Sequence, residues 1–359
     1  MFLHLITDSI YTQKYIDFVE RQFEKYNNKY IFIHSHSLEP MKYVNSNKVE
    51  SFRLLNPIEF KNLIDVLKKS DYIFIHGLFD IKIISLFNIF SRFARKASWV
   101  LWGGDLYNYW LNDKHGLKAR FIEFLKRRLI KRLHSVICFL EEDYKFLKEK
   151  YKTNAVYKYA FYPNPVDFET IDQLMEDNHD NSVRKLLIGN SASETNNHFE
   201  AFKIIKELDI QDFQIICPLS YGDMEYAKKV ERYGRELFGE RFIALMDYLP
   251  PVEYAKILTS VDVAVFAHRR QQALGNILAL LYAGKKVYVR SDISTWKFLG
   301  RLGIIVFDTI KLLSGEDRNL FEYDEKIGQK NRAIIKRELS EERCAQSWKS
   351  IFDEFQKNA

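Results

Sequence analysis

Short apolar, β-branched runs alternate with longer amphipathic stretches along the whole chain. The runs predict buried strands near 2–6, 30–34, 71–76, 98–102, 135–139 and 155–160 in the first half. Apolar positions three and four apart predict helices between them, near 11–26, 57–69, 79–96, 114–132 and 141–151. The stretch FYPNPVDFETIDQLMEDNHDN then brings two of the seven prolines and a polar run, which places a linker near 161–182. Strands resume near 183–188, 213–217, 242–246, 262–266, 286–290 and 303–307, again with helices between.

Such alternation builds parallel sheets covered by helices on both faces. The expected fold is α/β, with two doubly wound, Rossmann-like domains at 1–165 and 183–338. A carboxyl-terminal helix, 339–359, is expected to pack back on the first domain. In sheets of this kind ligands bind beyond the carboxyl ends of the strands.

Two of those strand ends carry unusual chemistry. Residues 186–198 read LLIGNSASETNNH, a strand, a glycine, and then small or amide side chains before a helical pattern. One reading is helix capping. The other is an anion site, in which a glycine and exposed N–H groups hold a phosphate with no lysine. No Gly-Lys-Ser/Thr follows, so this is not a Walker loop. The second strand end, VFAHRRQQALGNILALLYAGKKVYV, leads a buried strand into His268-Arg269-Arg270-Gln271-Gln272 and a helix with Gly275 near its start. An arginine fork matches phosphate oxygens. Its plain alternative is a solvated strand end.

Composition narrows the class. The 359 residues are 47% hydrophobic and 28% charged, as in a soluble globular protein. No apolar run approaches a membrane span, and the start MFLHLITDSIYTQ reads as a strand rather than a signal peptide. Cys138, Cys217 and Cys344 are too scattered for a disulfide framework or a zinc site. There is no Asp-x-Asp, which disfavours a metal-dependent single-domain sugar transferase; neither metal nor cofactor is expected. The net charge of +6 is lopsided: residues 1–168 carry 27 Lys/Arg against 18 Asp/Glu, and residues 169–359 carry 27 against 30. The first half therefore suits an anionic partner such as nucleic acid or a membrane surface. No helix-turn-helix, zinc-finger or RNP-like motif is present, so a non-catalytic nucleic-acid-binding protein is the weaker reading.

The segments FIHGLFD (74–80), WGGDLY (102–107), GNSASETNNH (189–198), PLSYG (218–222) and RQQALG (270–275) occur in order across most of the chain. Together they resemble the TDP-N-acetylfucosamine:lipid II N-acetylfucosaminyltransferase family, of 4-alpha-L-fucosyltransferase type. The resemblance implies a GT-B glycosyltransferase with two Rossmann-like domains facing across a cleft. It implies transfer of a 4-acetamido-4,6-dideoxyhexose from a TDP-sugar to a polyprenyl-diphosphate-linked saccharide, in cell-surface polysaccharide synthesis. The enzyme would be peripheral, on the cytoplasmic face of the bacterial inner membrane. Gln271 and Ala279 stand where many retaining GT-B enzymes carry two glutamates, which leans towards inversion. Gly104 stands where the family usually has alanine. A glycosyltransferase using another nucleotide sugar is the runner-up.

Glycosyl transfer needs a base at the acceptor hydroxyl and stabilisation of the leaving diphosphate. The base candidates are Asp105, His76 and Asp8, each at or after a strand end of the first domain. The plain alternatives are a helix cap for Asp105 and a core histidine for His76. Donor binding is assigned to Gly189, Asn190, Ser191, Asn196, Arg270, Gln271, Gln272 and Gly275, with His198 and Tyr221 as further contacts. Finally, residues 114–132 (KHGLKARFIEFLKRRLIKR) hold eight Lys/Arg and one acidic residue, with Leu117, Phe121, Phe124, Leu125 and Leu129 on one helical face. Such a helix can lie on an anionic membrane surface; a helix packed on the sheet with a solvated cationic face is the alternative.

Overall fold

The computed structural model describes residues 1–34, 41–111, 116–163, 167–176 and 183–357. The chain divides into two compact units, Met1–Pro163 with Glu341–Ala359, and Asn164–Ser340.

The first unit runs β1 (Phe2–Leu5), α1 (Ile10–Gln22), β2 (Asn28–His34), β3 (Val49–Arg53), α2 (Pro57–Lys69), β4 (Tyr72–His76), α3 (Ile81–Ile89), β5 (Ala97–Val100), α4 (Gly104–Tyr107), α5 (Leu117–Ile130), β6 (Ser135–Cys138), α6 (Glu141–Tyr151) and β7 (Val156–Tyr159). Its sheet is parallel throughout, in the order β3-β2-β1-β4-β5-β6-β7. The order reverses between β1 and β4, the point where such sheets open a crevice. Strands with both faces covered read as continuous apolar runs, and the central strands β1, β4 and β5 are buried at every position. One face is covered by α2, α3, α5 and α6, whose Leu63, Leu67, Phe87, Leu129 and Leu147 join one core.

The second unit runs α7 (Phe168–Glu176), β8 (Arg184–Ile188), α8 (His198–Glu207), β9 (Phe213–Pro218), α9 (Met224–Phe238), β10 (Phe242–Leu245), α10 (Pro251–Ser260), β11 (Val263–Phe266), α11 (Leu274–Tyr282), β12 (Lys286–Val289), α12 (Ser294–Arg301), β13 (Phe307–Asp308), α13 (Thr309–Leu313) and α14 (Glu325–Glu338). Its six parallel strands follow the order β10-β9-β8-β11-β12-β13, reversing between β8 and β11. Both polar turns of interest follow these two strands.

The last helix, α15 (Glu341–Lys357), belongs to the first unit and covers the other face of its sheet. Trp348 and Phe352 pack with Tyr15, Phe18 and Phe74, and the Trp348 indole N–H donates to the Phe161 carbonyl at 2.8 Å. Three elements differ from the periodicity. The edge strand β3 has the half-buried sequence VESFR, too polar to stand out. Helix α7 forms inside the proline-rich stretch read as linker, and Asp172 on it pairs with Arg332 of α14 at 2.6 Å. The helix expected over 79–96 ends at Ile89, and a tighter turn covers Ser91–Lys96.

Candidate active site

In the second unit the glycine-rich turn folds onto itself. Gly189 has φ +72, and a side chain there would meet the His198 Nε2 at 2.6 Å and the Asn196 Oδ1 at 2.9 Å, so only glycine fits. Asn196 is fully buried. Its Oδ1 accepts from the Asn190 backbone N–H at 3.0 Å and from His268 Nε2 at 2.7 Å, while its Nδ2 donates to Ser191 Oγ and the Ser193 carbonyl, both at 3.2 Å. Asn190 and Ser191 are buried as well, and the Asn190 amide donates to the Tyr221 hydroxyl. The Asn190 and Asn196 amides thus donate to neighbouring groups, as buried amides must, whereas Ser191 Oγ accepts from the Asn196 and Gln272 amides.

His198 lies behind the turn. It is fully buried, its Nδ1 meets the Tyr226 hydroxyl at 3.1 Å, and burial pushes its pKa down to about 3. It packs; it does not face solvent. Tyr221 is the exposed member of the group, at 58%.

What the turn grips is the second loop. Gln272 Nε2 donates to Asn190 Oδ1 at 3.1 Å and to Ser191 Oγ at 3.3 Å, and Gln272 Oε1 accepts from Thr195 Oγ1 at 2.6 Å. With His268 bound to Asn196, the loop after β11 is held at both ends. It delivers the chain to α11, whose N-cap Ala273 is left-handed (φ +56) and offers no side-chain cap. The first-turn N–H groups of Leu274, Gly275 and Asn276 thus lack a side-chain acceptor, the state that suits an anion. Arg269 is exposed beside them, and half-buried Arg270 donates from Nη1 to the Gln271 carbonyl at 2.9 Å. His268 and Thr195 were not among the expected site residues. Their only signal is a polar residue in a turn that follows a strand, which is common.

In the first unit the three base candidates are engaged. Asp105 is 3% exposed. Its Oδ1 accepts from the Trp102 N–H at 3.0 Å, and its Oδ2 from the Leu78 N–H at 3.0 Å and the Trp99 indole at 2.7 Å. Burial raises its pKa, while the nearby Lys126 ammonium and these donors oppose the rise. With bonds to both oxygens, this carboxylate holds the turn after β5. His76 is fully buried between His4 (3.1 Å) and Tyr162, and desolvation holds its pKa well below the ordinary value. Asp8 accepts from the backbone N–H groups of Lys42, Tyr43 and Val44 at 2.7, 3.0 and 3.1 Å, and so pins the segment before β3. His4 and Tyr162, the partners of His76, were missed; nothing in the sequence sets them beside it. Among the described residues no group of three His, Cys, Asp or Glu side chains is placed to hold a metal.

Comparison with known proteins places this geometry. Solved structures similar to the chain include a sucrose-phosphate synthase of Thermosynechococcus elongatus (11% identity, TM-score 0.70, covering 100% of this chain and 99% of that one). A glycosyltransferase of Rickettsia africae (13%, 0.68) covers 100% and 99%. The HepE protein of Anabaena in complex with UDP and glucose (13%, 0.68) covers 98% and 99%. At such identities the likeness concerns the fold, which is GT-B. The family model for the 4-alpha-L-fucosyltransferases, glycosyl transferase group 56, matches residues 15–315. The chain belongs to that family, and it is a glycosyltransferase.

Proposed function

We propose that the enzyme moves a 4-acetamido-4,6-dideoxyhexose from a TDP-sugar to a polyprenyl-diphosphate-linked saccharide, without a metal and with inversion. The observation that carries the donor half is the uncapped start of α11, locked under Gln272 and flanked by Arg269 and Arg270. Fixed N–H dipoles and a guanidinium stabilise a leaving diphosphate without reorganising during the reaction. Tyr221 and Gln271 are placed to contact the nucleotide or sugar from the exposed side of the two loops. The identity of the sugar rests on the family and on the motifs shared with it. Calorimetry with TDP, UDP and GDP, followed by transfer assays with the corresponding sugars, tests it; a preference for UDP or GDP would favour the other donor class.

The acceptor half needs a membrane surface, and α5 supports one in altered form. Lys126 is buried, and its ammonium donates to the Asp105 carbonyl; Arg127 pairs with Glu123 at 3.1 Å and lies over Trp110 and Tyr151. These two cations serve the fold, which corrects their expected place at the lipid. The outward face instead carries Leu117 (84% exposed), Phe121 (60%) and Phe124 (57%) between exposed Lys118, Arg120, Arg128 and Lys131. Leu125 and Leu129, expected on the same apolar face, turn inward. Exposed aromatic and aliphatic groups flanked by cations suit the headgroup region of an anionic bilayer. No helix among the described residues is long and apolar enough to cross a membrane. We place the enzyme peripherally, on the cytoplasmic face of the inner membrane. Co-sedimentation with phosphatidylglycerol vesicles tests this.

A further inference from the structure

A chain of hydrogen bonds runs through the first unit, and its direction is fixed at one end. The Asn28 amide donates to the Phe23 and Tyr26 carbonyls at 3.3 and 3.2 Å, so its Oδ1 faces His4 Nε2, 3.2 Å away. Neutral His4 therefore keeps its proton on Nε2 and accepts at Nδ1 from His76 Nε2, at 3.1 Å. That leaves His76 Nδ1 bare, to accept the Tyr162 hydroxyl proton. The Tyr162 oxygen accepts the Trp102 indole N–H at 3.3 Å. Burial keeps both imidazoles uncharged, pushing His4 down to about 3.

The chain ends on a group of rings at the carboxyl ends of β1, β4 and β5, where the strand order reverses. Trp102, half-buried, meets Tyr11, Phe79 and Tyr162 near perpendicular, at centroid distances of 6.0, 6.1 and 5.4 Å. Tyr11 is 41% exposed and Phe79 is 47% exposed. Phe79 is nonetheless pinned: a Cβ at Gly77 would lie 2.8 Å from its ring and one at Gly104 would lie 3.4 Å away. Two glycines thus make room for an aromatic that stays about half in water. A core edge needs neither the pinned exposed ring nor a buried histidine relay behind the tryptophan.

We infer that Tyr11, Phe79 and Trp102 form a rigid stacking platform for a pyranose ring of the acceptor saccharide, with His4, His76 and Tyr162 positioning Trp102. A pyranose presents an apolar C–H face, and fixed aromatic rings bind it at little entropic cost. The word acceptor rests on the glycosyl-transfer reading; the platform itself does not.

Saturation-transfer NMR with methyl N-acetyl-β-glucosaminide tests it on the full chain. Saturation is expected to concentrate on the C–H groups of one ring face. Phe79→Ala and Trp102→Ala should each weaken binding about 3- to 10-fold, the worth of one aromatic contact. TDP affinity, measured by calorimetry, should not change, and it reports that the second unit is intact. Tyr162→Phe keeps the ring and removes the link; it should raise the acceptor KM about 5-fold, with kcat within twofold. Even saturation of all sugar protons, no saturation, or binding indifferent to Phe79→Ala would overturn the platform. Sugar binding without transfer from any nucleotide sugar would instead overturn the glycosyl-transfer reading and leave the platform standing.

Discussion

The side-chain amides of Gln272 and Asn190 meet at 3.1 Å across 82 positions of sequence. Through that contact the turn after β8 holds the loop after β11, and the loop holds the start of α11.

Gln272→Ala removes two donated bonds and one accepted bond from this junction. Net worth of about 1–3 kcal/mol predicts a loss of TDP affinity of roughly 10- to 100-fold. Gln272→Glu sets a carboxylate against Asn190 Oδ1 and beside the diphosphate, and should lose at least as much affinity as the alanine variant. Calorimetric affinities for the three proteins check the order.

Arg270→Ala should lower turnover by on the order of 10²-fold, with weaker TDP binding, because a fixed cation is lost from the leaving group. Thermal melting should move little. Wild-type turnover in the variant would take Arg270 out of the donor site.

Asp105→Asn distinguishes a scaffold from a base. An amide has one acceptor oxygen, so its NH₂ would oppose a backbone or indole N–H that Asp105 now receives. Stability should fall by about 2–4 kcal/mol. The pH profile of the remaining activity should keep its shape; loss of its acidic limb at unchanged melting temperature would restore the catalytic role.

Acid should destabilise the second unit early. His198 and His268 are buried, and desolvation pushes each pKa down from 6.5 to about 3. The unfolded chain therefore binds more protons below about pH 6.5. Stability from these groups is present above that pH and is lost as pH falls towards 3, by up to about 1.4 kcal/mol per pH unit for each. Denaturant midpoints between pH 7.5 and 5 should fall with a slope that His268→Gln reduces. A flat profile would show that both rings take their protons while folded.

Vesicle binding should depend on the outward face of α5. Replacing Phe121 and Phe124 with serine, or Arg120 and Arg128 with glutamate, should release the protein from phosphatidylglycerol vesicles. Salt should weaken the electrostatic part, since screening acts within a Debye length of ~8 Å. Binding that survives both replacements would move the contact elsewhere.

Much of the fold was legible because local patterns and burial agree. Strands such as YIFIH and VAVF are apolar at nearly every position, as parallel strands must be when helices cover both faces. The strand-end turns were legible as well, since glycine and small polar residues after such strands have few other uses. Which atoms those turns offer was not legible. Asn196, His198 and Asp105 look like ligand-binding groups in sequence. Whether a polar side chain faces a substrate or a neighbour depends on partners as far as 72 positions away, such as Ser191, Tyr226, Leu78 and His268. The same holds for Lys126, one of eight basic residues in its stretch: helical phase about a sheet, not charge, turns it inward. Composition and periodicity determined two parallel α/β units and the loops that matter. Only tertiary packing decided which polar groups are spent inside those loops and which remain for a ligand, because each buried donor must find its acceptor in three dimensions.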